Sequence, residues 1–135
     1  MANSFYSKGK ENLLGGNIDW DGANVALIFI DENDDVPDLA NDYALANILV
    51  AARIAISPNF GSKTITNGVA DAADVTVTGV TGDVFESLSI FMNSGTEATA
   101  WLICNIDTAT GLPCTPNGGD ITVVWDNGAN RIFSL

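Results

Sequence analysis

The sequence contains no histidine and few basic residues, and both shortages narrow the functions that it can support. Only five Lys and Arg stand against 17 Asp and Glu among 135 residues, a formal net charge of −12. Binding to nucleic acid needs clustered Lys and Arg at the phosphates, so we expect no nucleic-acid partner. An anionic membrane surface is disfavoured on the same ground. Histidine is the commonest general base, so we expect no enzyme activity and no cofactor.

Long hydrophobic runs and paired-cysteine motifs are also missing. The longest apolar run, residues 25–30, is far shorter than the roughly 20 residues that span a bilayer. Residues 1–10 are polar, so we expect no secretory signal and synthesis in a host cytosol. Cys104 and Cys114 form no metal motif. We interpret them as a buried strand thiol and a loop thiol, with a disulfide between them as the alternative.

Hydrophobic residues nevertheless make up 47% of the chain, which is enough for a packed core. The length predicts one domain over residues 1–135. Within it, residues 1–16 form either an N-terminal arm or a short helix. Gly15 and Gly16 would end that segment.

Turn residues recur at close spacing, and the segments between them are rich in Val, Ile and Thr. Asn67-Gly68 is typical of a two-residue hairpin turn. The spacing of Leu39, Tyr43, Ala46 and Val50 predicts a helix over residues 38–50. The fold class that follows is all-β with one short helix, an antiparallel β-sandwich that is jelly-roll-like, while an immunoglobulin-like strand order stays open. Its predicted strands cover residues 25–30, 53–57, 64–66, 74–78, 84–92, 98–106, 121–125 and 130–135.

The acidic segment after residue 30 is a candidate calcium site. Asp31, Asn33, Asp35 and Asp42 have the first, third, fifth and twelfth spacings of a calcium loop. Val36, however, occupies the position where such a loop needs glycine. The alternatives are a solvated acidic loop and an electrostatic contact with a basic partner.

Exposed aromatic and basic residues near the N-terminus are candidate partner contacts. Phe5, Tyr6, Lys8 and Lys10 could form an arm that docks on a neighbouring acidic subunit, or a helix packed on its own domain. Trp20 lies beside a turn and could either cap the core or anchor a subunit contact, since tryptophan is enriched at interfaces.

Two blocks at the ends of the chain carry a family resemblance. The segments SFYSKGKENLLGGNIDWDGANVALI and DTATGLPCTPNGGDITVVWDNGANRIFSL, together with ARIAIS and KTITNGVADAADVTVTGVTGD between them, resemble small virion structural proteins of tailed bacteriophages. The resemblance implies a non-enzymatic capsid decoration (cement) protein on the capsid exterior. Its expected partners are the major capsid protein and further copies of itself in a trimer or dimer. From exposure and composition, we also expect contacts at Leu112, Pro113 and Pro116 in the long loop. The alternatives are a head–tail adaptor, another tail-associated protein, and a calcium- or carbohydrate-binding surface module.

Overall fold

Short runs of β-branched and aromatic residues form strands along most of the chain. The computed structural model describes residues 3–129 and 131–135. In this part of the chain one α-helix, α1 (Ser7–Leu14), accompanies ten strands. The strands are β1 (Ser4–Phe5), β2 (Val25–Ile30), β3 (Arg53–Ile56), β4 (Thr64–Thr66), β5 (Val69–Asp71), β6 (Val75–Val77), β7 (Ser87–Met92), β8 (Leu102–Ile106), β9 (Ile121–Val123) and β10 (Phe133–Ser134).

All strand pairs are antiparallel, and they form three sheets. The largest has the order β1-β8-β7-β2-β3, and the smaller ones have the orders β10-β5-β4 and β6-β9. The predicted all-β, sandwich-like fold is therefore confirmed, whereas its jelly-roll form stays a prediction. Eight of the ten strands lie within the predicted ranges, although several are shorter than predicted, and residue 130 of the last range lies outside the described residues. The strands β1 and β5 were not predicted.

The apolar core lies on both faces of β2, an inner strand of the five-stranded sheet. All six residues of β2 are buried, as a strand covered on both faces requires. Val25, Leu27 and Phe29 face a core that the two smaller sheets complete. Ala26 and its alternate neighbours Ile28 and Ile30 face a second core, which residues 44–52 cover.

The outer edge of β8 is covered by the N-terminal segment. Ser4 and Phe5 pair with Asn105 and Cys104, and α1 then packs on the rest of the strand. A Cβ atom at Gly9 would lie 2.6 Å from the carbonyl oxygens of both Leu102 and Ile103. Glycine therefore permits the close approach by which α1 shields this strand edge from unwanted pairing.

The helix predicted over residues 38–50 is wrong. This segment instead forms turns and two 3-10 turns, Leu45–Asn47 and Val50–Ala52. Its Asp and Asn side chains accept backbone N–H groups locally, which competes with helix formation. The predicted buried face of that helix is wrong too. Tyr43 and Val50 are exposed, whereas Leu45 and Ile48 are buried against the five-stranded sheet.

The hairpin turn predicted at Asn67-Gly68 is confirmed. It joins β4 to β5, and both residues have positive φ, 53° and 76°. Two positive values at the central positions are the geometry that favours an Asn-Gly sequence.

Candidate functional site

Tyr6, one of the predicted partner contacts, is part of the protein's own core. Its side chain is fully buried, and its hydroxyl hydrogen-bonds the Ser89 hydroxyl at 2.7 Å. Burial raises the pKa of Tyr6 well above its usual value. Asn105 joins the same buried network, donating to the hydroxyls of Ser87 and Ser89. The expectation of an exposed contact at Tyr6 is corrected, because its ring fills space between the sheet and the loop that covers it.

Phe5 and the two lysines take different positions on the N-terminal segment. Phe5 is half-buried and packs edge-on against Phe133, with ring centroids 5.0 Å apart. Lys8 and Lys10 are exposed on α1, and Lys8 pairs with Glu11 at 3.1 Å. In the described residues the Lys10 side chain has no ion-pair partner. Both lysines are accessible at the surface, and their contact with a partner stays a prediction.

Trp20, the third aromatic candidate, is also internal. Its side chain is buried and packs edge-on against Phe60 and Phe133. The indole N–H donates to the Asp71 carbonyl at 3.2 Å. Because its apolar body and its polar atom are both satisfied within the chain, the expected subunit contact at Trp20 is corrected to a core position.

The long loop over residues 107–120 is tied to the core at two points. Cys114 and Phe85 exchange backbone hydrogen bonds of 2.9 and 3.0 Å, and Val80 bonds Gly118 and Gly119. Pro113 is exposed, while Leu112 and Pro116 are half-buried, and the Leu112–Pro113 peptide is cis. All three predicted contact residues thus reach the surface on an ordered loop.

The four residues of the predicted calcium loop do not form a ligand set. Asp35 accepts the Leu49 N–H at 2.8 Å, and Asp42 accepts the Asp38 N–H at 2.9 Å. Asn33 donates its side-chain amide to Glu86. The carboxylates of Asp31, Asp35 and Asp42 do not gather within 4.8 Å of one another. The acids instead stabilise turns by accepting N–H groups, so the calcium-loop interpretation is corrected.

A different carboxylate cluster lies near the end of β2 and the start of β7 in the five-stranded sheet. Asp31 follows β2, Asp83 precedes β7, and their oxygens lie with one from Asp34 within 4.8 Å of one another. Asp31 is buried, and its Oδ1 accepts the Asn33 N–H at 2.9 Å. Calcium takes 6–8 oxygen ligands, so three carboxylates would hold it only with further groups. Sequence reasoning missed Asp83, because its proximity to Asp31 depends on the pairing of β2 with β7.

Arg53 holds the acidic segment against the sheet. Its guanidinium donates to the Ile48 carbonyl at 2.8 and 3.0 Å and to the Leu45 carbonyl at 3.0 Å. It also pairs with Glu97 at 2.8 Å. A hydrogen bond from Arg53 lowers the pKa of Glu97. The acidic segment also carries exposed apolar and aromatic side chains. We define Val36, Tyr43, Leu49 and Val50 as the outer loop surface.

Both cysteines are free thiols, as the first interpretation of the sequence predicted. Cys104 lies in β8 and is buried, and this burial raises its pKa to about 12. A thiol with so high a pKa carries almost no thiolate at neutral pH, which is the reactive form. Cys114 is half-buried in the long loop.

Comparison with known protein families finds no family model that matches the chain. Comparison with curated proteins likewise finds no match. Among the described residues, no helix has the length and apolar character that would let it cross a membrane.

Proposed function

We propose that this protein is a non-enzymatic virion structural protein of a tailed bacteriophage, which binds the outer surface of the assembled capsid and stabilises it. One observation carries the proposal: the two end blocks that resemble such proteins pack against each other. Phe5 and Trp20 of the first block both contact Phe133 of the second, at 5.0 and 5.2 Å. The two segments that resemble virion proteins are remote in sequence, yet they form one structural unit in the folded chain.

A structural role is supported by the state of the groups that could act as nucleophiles. The chain has no histidine to activate a serine or cysteine. Cys104 is buried, and its pKa of about 12 keeps it protonated. Cys114 exchanges backbone hydrogen bonds with Phe85, as a residue that anchors a loop does.

The surface chemistry supports an exterior position on the shell. The formal charge of −12 would oppose packing against DNA and is compatible with contact to solvent. The outer loop surface offers apolar side chains on a loop that Arg53 and Asp35 hold in place. A protein that binds only the assembled shell stabilises it by its binding free energy, summed over many copies. The major capsid protein and further copies of the chain are the proposed partners, and a trimer or dimer is the proposed state.

The stoichiometry of this chain in purified virions, relative to the major capsid protein, tests the proposal. We expect a ratio near one to one, or a simple fraction set by threefold or twofold sites. A ratio of a few per cent would assign the protein to the neck or tail instead, and its absence from virions would refute a virion role. As a second readout, shells that lack the protein should dissociate at lower temperature, and adding it back should restore them.

A further inference from the structure

An apolar groove lies between the long loop and the last strand of the smallest sheet. Its volume is about 520 Å³, within the range of binding pockets. Ala109, Thr110, Gly111, Leu112 and Cys114 form one wall, and residues 121–124 form the other. The stacked rings of Phe29 and Phe85, 4.2 Å apart, lie with Leu88 at its base. None of its lining residues is charged.

The groove runs along the edge of β9 rather than across one of its faces. Successive side chains of a strand point to opposite faces, so a groove on one face would be lined by every second residue. Here four consecutive residues line the groove: Ile121, Thr122, Val123 and Val124. In the described residues β9 pairs only with β6, so its other edge is unpaired. Four residues extend about 13 Å at roughly 3.3 Å each, which is enough to pair with a short extended segment.

We propose that this groove binds an extended segment of a partner protein as an added strand beside β9. An added strand would place its main chain on the unpaired edge and alternate side chains over the apolar base. Leu112, a predicted contact residue, lies in the groove wall. The loop that forms this wall is fixed at Cys114, Gly118 and Gly119, so the groove exists before binding and little ordering is required.

Negative charge at both ends of the groove favours a partner segment with basic residues. Asp120 and Asp126 are exposed and flank residues 121–125 of the chain. Two copies paired edge to edge at this groove would bring their Asp120 and Asp126 side chains close together, which disfavours a second copy as the occupant of the groove. The segment that fits has an apolar centre with Lys or Arg on either side. The inference rests on the proposed function in one respect, since the partner that would supply the segment is the shell.

A peptide titration of the full chain tests the inference. The probe is acetyl-KKVTVTVKK-amide, added to the ¹⁵N-labelled chain and followed by amide chemical shifts. We expect saturable shifts confined to residues 109–114 and 121–124, and binding at least about tenfold weaker for the same peptide with Glu in place of Lys. No saturation below about 1 mM would overturn the inference, as would shifts centred on the acidic residues 31–42.

A matched pair of variants separates the groove from general surface effects. Val124 and Ile65 are both largely exposed, 67% and 54%, and only Val124 lines the groove. Val124→Arg should weaken binding of the peptide at least about tenfold, while Ile65→Arg should leave it unchanged. Equal effects of the two variants would refute the groove as the site.

The same pair distinguishes failure of this inference from failure of the proposed function. If the chain is abundant in virions and Val124→Arg retains full occupancy, the groove inference is wrong and the decoration role stands. If the chain is absent from virions but the peptide binds the groove as expected, the groove inference stands and the proposed function is wrong.

Discussion

Replacing Gly9 by alanine should destabilise the protein, against the ordinary preference of helices. Gly9 lies inside α1, where alanine is normally better by roughly 1 kcal/mol. Here, however, the added Cβ would lie 2.6 Å from two carbonyl oxygens, Leu102 O and Ile103 O. Both atoms belong to the backbone of β8, so neither can rotate away. The helix itself must move outward until both contacts open to the 3.4 Å at which ordinary van der Waals contact begins.

The net effect follows from these opposing contributions. Overpacking costs about 1–3 kcal/mol, and we expect the upper half of that range because the contacts are with backbone. After subtraction of the helix preference, the free energy of unfolding should fall by about 1–2 kcal/mol. For a chain of this length, that change corresponds to a midpoint lower by about 3–10 °C.

Urea unfolding, followed by circular dichroism and tryptophan fluorescence, measures this change. Gly61→Ala is the matched control, because no atom lies within 4 Å of its added Cβ and its φ is not positive. The control should be neutral or stabilising by up to about 1 kcal/mol. If Gly9→Ala were as stable as the unmodified protein, the proposed close approach of α1 to β8 would be refuted.

Three further predictions concern the buried polar groups. Arg53→Met should lower the free energy of unfolding by about 1–3 kcal/mol in a urea titration, because it leaves the Ile48 carbonyl without a donor and removes one of the two donors to the Leu45 carbonyl. Glu97→Gln, which keeps the bonds from Arg53 to both carbonyls, should have a much smaller effect. The pKa values of Tyr6 and Cys104 are raised by burial, so their neutral forms favour the folded state. The stability that these two groups contribute should be constant below pH 9, fall above pH 9 as the Cys104 thiol of the unfolded chain ionises, and fall more steeply above pH 10 as the Tyr6 hydroxyl of the unfolded chain ionises. Tyr6→Phe should reduce the slope above pH 10 from about 2.7 to about 1.4 kcal/mol per pH unit, and an unchanged slope would contradict the assignment. With a thiol reagent the native protein should label at Cys114 only and both thiols after unfolding, and rapid native labelling of Cys104 would show that β8 is accessible.

Much of the β-structure follows from local sequence. The apolar run at residues 25–30 predicts a strand buried on both faces, and β2 is that strand. Asn67 and Gly68 tolerate positive φ, so the hairpin between β4 and β5 is encoded by two neighbouring residues. The alternation of Val and Thr in β6 likewise matches its buried, exposed, buried pattern. These features depend on backbone preferences and on side-chain period, both of which a linear sequence contains.

The acidic segment shows where local preference is overridden. Residues 38–50 are rich in Ala and Leu, which favours a helix. Two interactions favour separate turns instead. Leu45 and Ile48 are buried against the five-stranded sheet, and Arg53 binds their carbonyl groups. Those contacts join residues whose proximity depends on the packing of the loop, so a helical spacing of apolar residues could not reveal them.

Local sequence accounts for most of the strands, the Asn-Gly hairpin and the negative charge, because each depends on neighbouring residues or on composition. Long-range packing sets the burial of Tyr6 and Trp20, since the partners of an aromatic ring come from distant segments. Strand pairing and sheet order likewise place Asp83 near Asp31 and form the groove beside β9. Such packing is the sum of many weak contacts across the chain, and no short segment specifies it.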